Sequence, residues 1–381
     1  MLTQIDQVLF RLGKPGRFQV LVIFLLCCVQ LQTSFNKYLL DFYIDSPPPH
    51  RCKATSNATV GESELRPLVE EKGKKRYSSC EMYVDPTNHK LGTKNCINGW
   101  EYFTTEIEWT IIPEWDLVCE WEYLVTLLPY LSCGGAMIGC LLFGMLADRF
   151  GRQRVLVTLL ILYTGSSVSL YFLSQFVLFS TIIGLEGFFI TGVQCISYVL
   201  LMETVPTPYH LRLAVLVGSF WAAGTLALTL VAYLIQHWRY IQLAISVPGV
   251  VSVTYFWLLP LSIPWLITNG RTLSAENQIE RLGHFNGVTL CPSFRLQIQN
   301  AQNVVKSSGN AARLTLGDVY SSAKLRRFVF VQYFIWFAVS LGSNIEVSEI
   351  PPLDENKFFR VLVRGVVEIG TLILIYFLSQ R

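Results

Sequence analysis

GMLADRFGRQRV, residues Gly144 to Val155, follows 20 residues without a single charge, Leu124 to Phe143, and then brings Asp148, Arg149, Arg152 and Arg154 within seven residues. About 20 consecutive apolar residues are what a helix needs to cross a bilayer, so the charges mark where the chain leaves the hydrocarbon. Gly144 and Gly151 allow a tight reversal or a close helix approach. The three arginines suit the headgroup zone of the cytoplasmic face, and Asp148 can act as an acceptor at the N-terminus of a neighbouring helix.

The rest of the chain reads the same way. Of its 381 residues 52% are hydrophobic and only 15% charged, against about 25% in a typical soluble chain. A formal net charge of +3, spread along the chain, does not suit a nucleic-acid partner. Apolar runs predict spans at Phe18–Leu40, Leu124–Ala147, Val155–Ser174, Phe176–Met202, Leu213–Ile235 and Ile241–Ile263, then at Phe328–Ser343 and Phe358–Leu378. The first run is too long for the core of a signal peptide and lacks its small-residue cleavage site, so it is read as an anchor.

Lys and Arg set the orientation. Arg11, Lys14 and Arg17 precede the first span, the arginines of the opening stretch follow the second, Arg212 follows the fourth, and 268–327 holds eight basic residues against three acids. These segments are expected on the cytoplasmic side, and the loop 42–123 outside. That loop carries Cys52, Cys80, Cys96 and Cys119 and the sequon at Asn57, which suit an oxidising compartment; four cysteines allow three connectivities. Cys27, Cys28, Cys133, Cys140, Cys195 and Cys291 are read as reduced. No Cys/His spacing suggests a metal site, no cofactor is expected, and no Ser/His/Asp or Cys/His constellation suggests an enzyme.

The opening stretch resembles the signature loop between the second and third helices of the major facilitator superfamily. GKPGRFQ (Gly13–Gln19), EWDLVCE (Glu114–Glu120), YVLLMETVP (Tyr198–Pro206) and HWRYIQLAISVP (His237–Pro248) resemble its organic cation/anion transporters, solute carrier family 22. The resemblance runs from residue 5 to about 340 and extends to FIWFAVSLG (Phe334–Gly342) and VVEIG (Val366–Gly370) as a seventh and eighth helix. It implies an all-α membrane protein with a major-facilitator-like bundle: a cytoplasmic N-terminus (1–17), a six-helix half (18–267), a cytoplasmic linker (268–327) and two helices of a second half (328–381). The family has twelve helices, so the reading is of a C-terminally truncated chain.

The resemblance also implies transport of small organic ions by alternating access at the midplane. Cations or zwitterions are favoured because two of the three ionisable candidates inside the spans are carboxylates, Glu186 and Glu368, beside Lys37. Tyr198, Trp221 and Glu368 are expected to line the cavity, with Gln194 and Asn36 as further polar members. Gly144, Asp148, Arg149, Gly151 and Arg152 are expected to form a conformational lock. An organic anion carrier, and a truncated non-transporting form serving as a partner or inactive product, are the alternatives. Membrane lipid, a second copy or a full-length relative would cover the open faces, and the plasma membrane is the expected location. Three departures stand out: PLSIPWL (Pro260–Leu266) has Leu261 and Pro264 where the family has an acid and an arginine, Gly218 replaces a glutamine, and Ile183 replaces an arginine of the fourth helix, leaving Glu186 as the charge within that span.

Overall fold

A computed structural model describes residues 16–44, 47–53, 66–71, 74–85, 88–96, 98–103, 109–287, 293–307, 316–349 and 357–379. Asn57, Arg11, Lys14 and Cys291 lie outside them. Each apolar run becomes a helix because backbone polar groups in hydrocarbon must bond within their own segment. Helix α1 spans Arg17–Tyr43, α2 Glu122–Phe150, α3 Arg152–Ser169, α4 Phe176–Thr204 and α5 His210–Ile235. The sixth segment is composite: α6, Trp238–Ser246, tightens into a 3-10 stretch, Val247–Thr254, and closes with one turn, Tyr255–Leu258. Pro248 removes a backbone donor there, and the Thr164 hydroxyl donates to Gly249 O at 3.4 Å. The segment stops at Leu258 rather than Ile263, since Pro260 breaks it and Ser262 caps a new short helix, Ile263–Thr268, by accepting Trp265 N–H at 3.2 Å.

Small residues let the helices meet. A Cβ on Gly135 or Gly139 of α2 would land on the backbone oxygens of Gly184 or Phe188 in α4, and one on Gly187 would land on Ser132. This is the close approach that glycine four residues apart permits between membrane helices. Two apolar cores follow, one around Leu26, Leu156, Leu160 and Leu200 and one around Tyr43, Ile111, Leu128, Phe179 and Trp238 at the opposite end.

The described residues of the loop between α1 and α2 form short strands, with single helical turns at His89–Leu91, Ile111–Glu114 and Cys119–Trp121. Strand β1 (His50–Cys52) pairs antiparallel with β6 (Trp100–Tyr102), β2 (Leu68–Glu71) with β3 (Lys74–Tyr77), and β4 (Glu81–Tyr83) with β5 (Thr93–Asn95). Disulfides join Cys52 to Cys96 and Cys80 to Cys119, one of the three connectivities left open by the sequence. His50 faces Cys80 and Cys119 closely enough to suggest three metal ligands, but those two sulfurs are spent on each other.

After the sixth segment, α7 (Thr272–Asn286) and α8 (Ser293–Ser307) pack against the short helix through Trp265, Ile267, Ile279, Leu282 and Ile298. Helix α7 ends at Gly287, in the left-handed region at φ 68°. The short helix, α7 and α8 therefore form a packed layer. Asn286 holds it to the bundle, accepting Phe18 N–H at 3.2 Å and donating to Gln19 Oε1 at 2.8 Å.

Helices α9 (Ala323–Glu349) and α10 (Lys357–Ser379) complete the described chain. Among the described residues seven segments, α1 to α5, the composite sixth and α10, are long and apolar enough to cross a membrane. Helix α10 seats on α5, with Leu372 at Gly218 and Gly365 at Leu226. Phe334 and Trp336 of α9 are 71% and 70% exposed.

Candidate functional site

The opening stretch forms a clamp. Gly151 sits at φ 103°, a conformation disfavoured for residues with a Cβ, and turns the end of α2 into the start of α3. Arg152 lies 3.1 Å from Asp148 Oδ1 and 3.2 Å from Glu203 Oε2 at the end of α4. Ser262 donates to the same Glu203 oxygen at 2.6 Å, and Trp265 Nε1 donates to Asp148 O at 2.8 Å. Arg152 and Glu203 are largely buried, whereas the Asp148 side chain is 74% exposed. The pair at the centre is therefore Arg152–Glu203, with Asp148 at its rim. Arg149 stays beside the ring of Phe150, and a Cβ at Gly144 would meet nothing within 4 Å. Glu203 was visible in YVLLMETVP but carried no sign of its partner, and Ser262 lies in the segment read as a departure.

A second clamp holds the opposite end. Arg239 Nε donates to Glu114 Oε1 at 3.0 Å, with a second nitrogen on the same oxygen, while further donors reach the carbonyls of Tyr171 and Leu173. Trp238 Nε1 donates to the other Glu114 oxygen, and Trp115 Nε1 to Ser174 O at 2.9 Å. The rings of Trp115, Phe179, Trp238 and Tyr43 stack around them. EWDLVCE and HWRYIQLAISVP, two separate fingerprints in the sequence, are thus one contact. Next to it, Tyr102 donates to Asp116 at 3.0 Å; burial, then that carboxylate, holds its phenol above the ordinary tyrosine range. Burial lowers the affinity of His237 for a proton.

The residues expected around a substrate are dispersed over three places. Tyr38 donates to Glu368 Oε1 at 2.8 Å, while Glu368 Oε2 is buried without a hydrogen-bond partner. Arg364, one turn earlier on α10, lies 5.1 Å from the Tyr38 ring centroid and 3.7 Å from Asp41. Asn36 donates to the Tyr163 hydroxyl of α3 and so faces inward to its own half. Gln194 contributes its carbonyl to Gln30, whose Nε2 also donates to Ser197 at 2.9 Å. Tyr198 is 41% exposed and Trp221 partly buried, on α4 and α5. Tyr38, Asp41 and Arg364 were missed because their roles come from pairing α1 with α10, 330 residues apart for Tyr38 and Glu368. A groove of about 460 Å³ beside Arg326, Arg327 and Phe334 is the open flank of α9, without converging polar groups, and is not the site.

Comparison with known proteins fits this arrangement. The model of the sugar (and other) transporter family matches residues 120–345. The organic cation/carnitine transporter 2 of Rattus norvegicus is 28% identical over 396 residues, covering 99% of this chain and 70% of that protein. The organic anion transporter 3 of Homo sapiens is 28% identical over 376 residues, covering 96% and 67%. Among solved structures, the proton:xylose symporter XylE bound to 6-bromo-6-deoxy-D-glucose superposes with a TM-score of 0.61 at 14% identity, over 94% of this chain and 68% of that one. A partially occluded inward-open form of XylE from E. coli gives 0.54 at 14% identity, over 94% and 72%. These two show the fold. A family model that runs from the start of the second span into α9, through both ends of the Arg152–Glu203 clamp, places the chain: it belongs to the sugar (and other) transporter family of the major facilitator superfamily, among relatives of solute carrier family 22.

Proposed function

We propose that this multi-pass membrane transporter carries small organic ions, zwitterions and cations ahead of anions, between α1 and α10 and the neighbouring faces of α4 and α5. The observation that carries the reading is Glu368: one oxygen takes the Tyr38 hydroxyl and the other is buried and unpartnered. An unpaired carboxylate within a span is costly, and an organic ammonium would satisfy it. The Tyr38 ring beside it adds a cation–π face of roughly 0.5–2 kcal/mol. Arg364, against the same ring, supplies a positive group for the acid of a zwitterion. Tyr198, Trp221, Gln194 and Asn36 remain the proposed lining. The loop 42–123 with its two disulfides lies outside, at the plasma membrane, and the Arg152–Glu203 clamp lies on the cytoplasmic face.

Relatives carry names of both charge classes, cation/carnitine and anion, so the test is a panel. Purified chain in liposomes is offered a labelled quaternary cation, a carnitine-like zwitterion and an aromatic organic anion. The expected result is saturable uptake of the first two, falling at least tenfold in Glu368→Gln with folded protein undiminished. Uptake of the anion alone, indifferent to Glu368→Gln, would overturn the charge assignment. A second reading, a form that does not transport by itself, is supported by the exposed apolar flank of α9. Folded protein with no saturable uptake of any of the three selects it.

A further inference from the structure

Glu186 lies ten residues into α4, 5% exposed, and its Oε1 has no hydrogen-bond partner. Lys37 is not its counter-ion: it is exposed, and no ion pair reaches Glu186 among the described residues. Among the described residues, the elements packed on α4 bring no positive charge to it. From α1 comes Tyr43, from α3 Tyr163 and Ser167, and α2 places Ser132 beside Gly187. The short helix Ile263–Thr268 meets α4 at its other end, at Glu203. Behind Ser167 stand Gln242 and Ser246 of α6, both uncharged.

The hydrogens of this network can be assigned one by one. Tyr43 donates to Gln242 Oε1. Gln242 Nε2 donates to Ser167 O at 2.9 Å and Ser167 Oγ at 2.8 Å. Ser246 spends its hydroxyl hydrogen on Gln242 O at 2.6 Å. The 2.7 Å contact between the Ser167 and Ser246 hydroxyls must then use the hydrogen of Ser167. A hydroxyl has one hydrogen and two lone pairs. In this assignment Ser167 turns a lone pair, not a hydrogen, toward the Glu186 carboxyl. A carboxylate would set lone pair against lone pair in a buried site without a cation, which is strongly disfavoured. A carboxylic acid would donate into that lone pair and complete the chain. Tyr163 accepts from Asn36 and makes no hydrogen bond to Glu186, and one neutral hydroxyl does not offset a buried charge.

We propose that Glu186 is a proton-binding site inside the first six-helix half, filled when α1, α3, α4 and α6 are packed as seen and able to exchange when that packing opens to water. The site is separate from the Tyr38–Glu368 contact and does not depend on what is transported there.

Infrared spectroscopy of the full chain in lipid tests it. With carboxyl-labelled glutamate, the wild-type protein at neutral pH should show an isotope-shifted carbonyl band of a protonated glutamic acid. The band should persist in Glu368→Gln, the other buried acid oxygen without a partner, and vanish in Glu186→Gln. Heating should give a second readout: raising the pH from neutral to alkaline lowers the melting temperature of the wild type, and not that of Glu186→Gln. Absence of the labelled band from the wild type overturns the proposal without reference to any variant, and so does a band lost in Glu368→Gln but kept in Glu186→Gln.

Discussion

The two ends of the six-helix half are each closed by an arginine on a glutamate, and they are built differently. At the Glu114 end, Arg239 bonds carboxylate and two backbone carbonyls, Trp238 takes the second carboxylate oxygen, and four aromatic rings exclude water. At the Gly151 end, Arg152 Nε lies 3.2 Å from Glu203 without hydrogen-bond alignment, and its second acid, Asp148, stands mostly in solvent. The same charge pair is saturated where all three guanidinium nitrogens are bonded and unsaturated where Nε has no hydrogen-bond partner. A carrier that rocks needs one clamp that can open, and an unsaturated ion pair at helix ends opens at lower cost than a saturated one among buried rings.

Glu114→Ala should have the largest effect, about 3 kcal/mol, because it leaves a half-buried arginine and an indole N–H unpaired. Thermal unfolding in lipid nanodiscs measures it; a loss no greater than that from Glu203→Gln would erase the distinction between the two ends. Gly151→Ala should follow at about 2 kcal/mol, since a Cβ at φ 103° is strained and would press on the Trp265 ring at 3.3 Å. Full stability of that variant would mean that α2 and α3 join in another conformation.

Glu203→Gln should cost about 1 kcal/mol and Asp148→Asn only a few tenths, as befits a pair without hydrogen-bond alignment and its exposed rim. Both should shift accessibility, read by cysteine labelling of the loop-side helix ends, with Glu203→Gln the larger. The reverse order would restore Asp148 as the centre of the lock. The smallest effect is on pH. His237 Nδ1 accepts Arg239 N–H at 3.3 Å, and burial depresses its proton affinity, so the folded state holds it neutral while the unfolded state takes up a proton below about pH 6.5. Stability at the Glu114 end should therefore fall as the pH drops through the histidine range, and His237→Asn should flatten the dependence. A wild-type melting temperature that rises on acidification contradicts the assignment.

How much was readable in advance differs between these parts. Six spans, the reversal at Gly151 and the basic loop were visible because bilayer thickness acts on runs of residues that are contiguous in the chain. The sixth span ended early, at Leu258, because Pro260 breaks the helix. The strands of the loop were invisible since each is three or four residues long, too short for an alternating pattern. Of the expected site residues, Glu368 meets a partner from the first helix, whereas Asn36 and Gln194 turned to neighbours within their own half.

By itself, the sequence determined what must leave water: the number and place of the apolar runs, the turns between them, and the family likeness of four short motifs. Only the tertiary structure decided which charge meets which. Glu203 rather than Asp148 takes Arg152, Glu114 takes Arg239 across 125 residues, Cys52 pairs with Cys96, and Glu186 stands among hydroxyls with no cation. The reason is physical: hydrophobic burial is set by each segment's own composition and has no direction, whereas hydrogen bonds and ion pairs need two groups at one distance and angle, which only the packed helices supply.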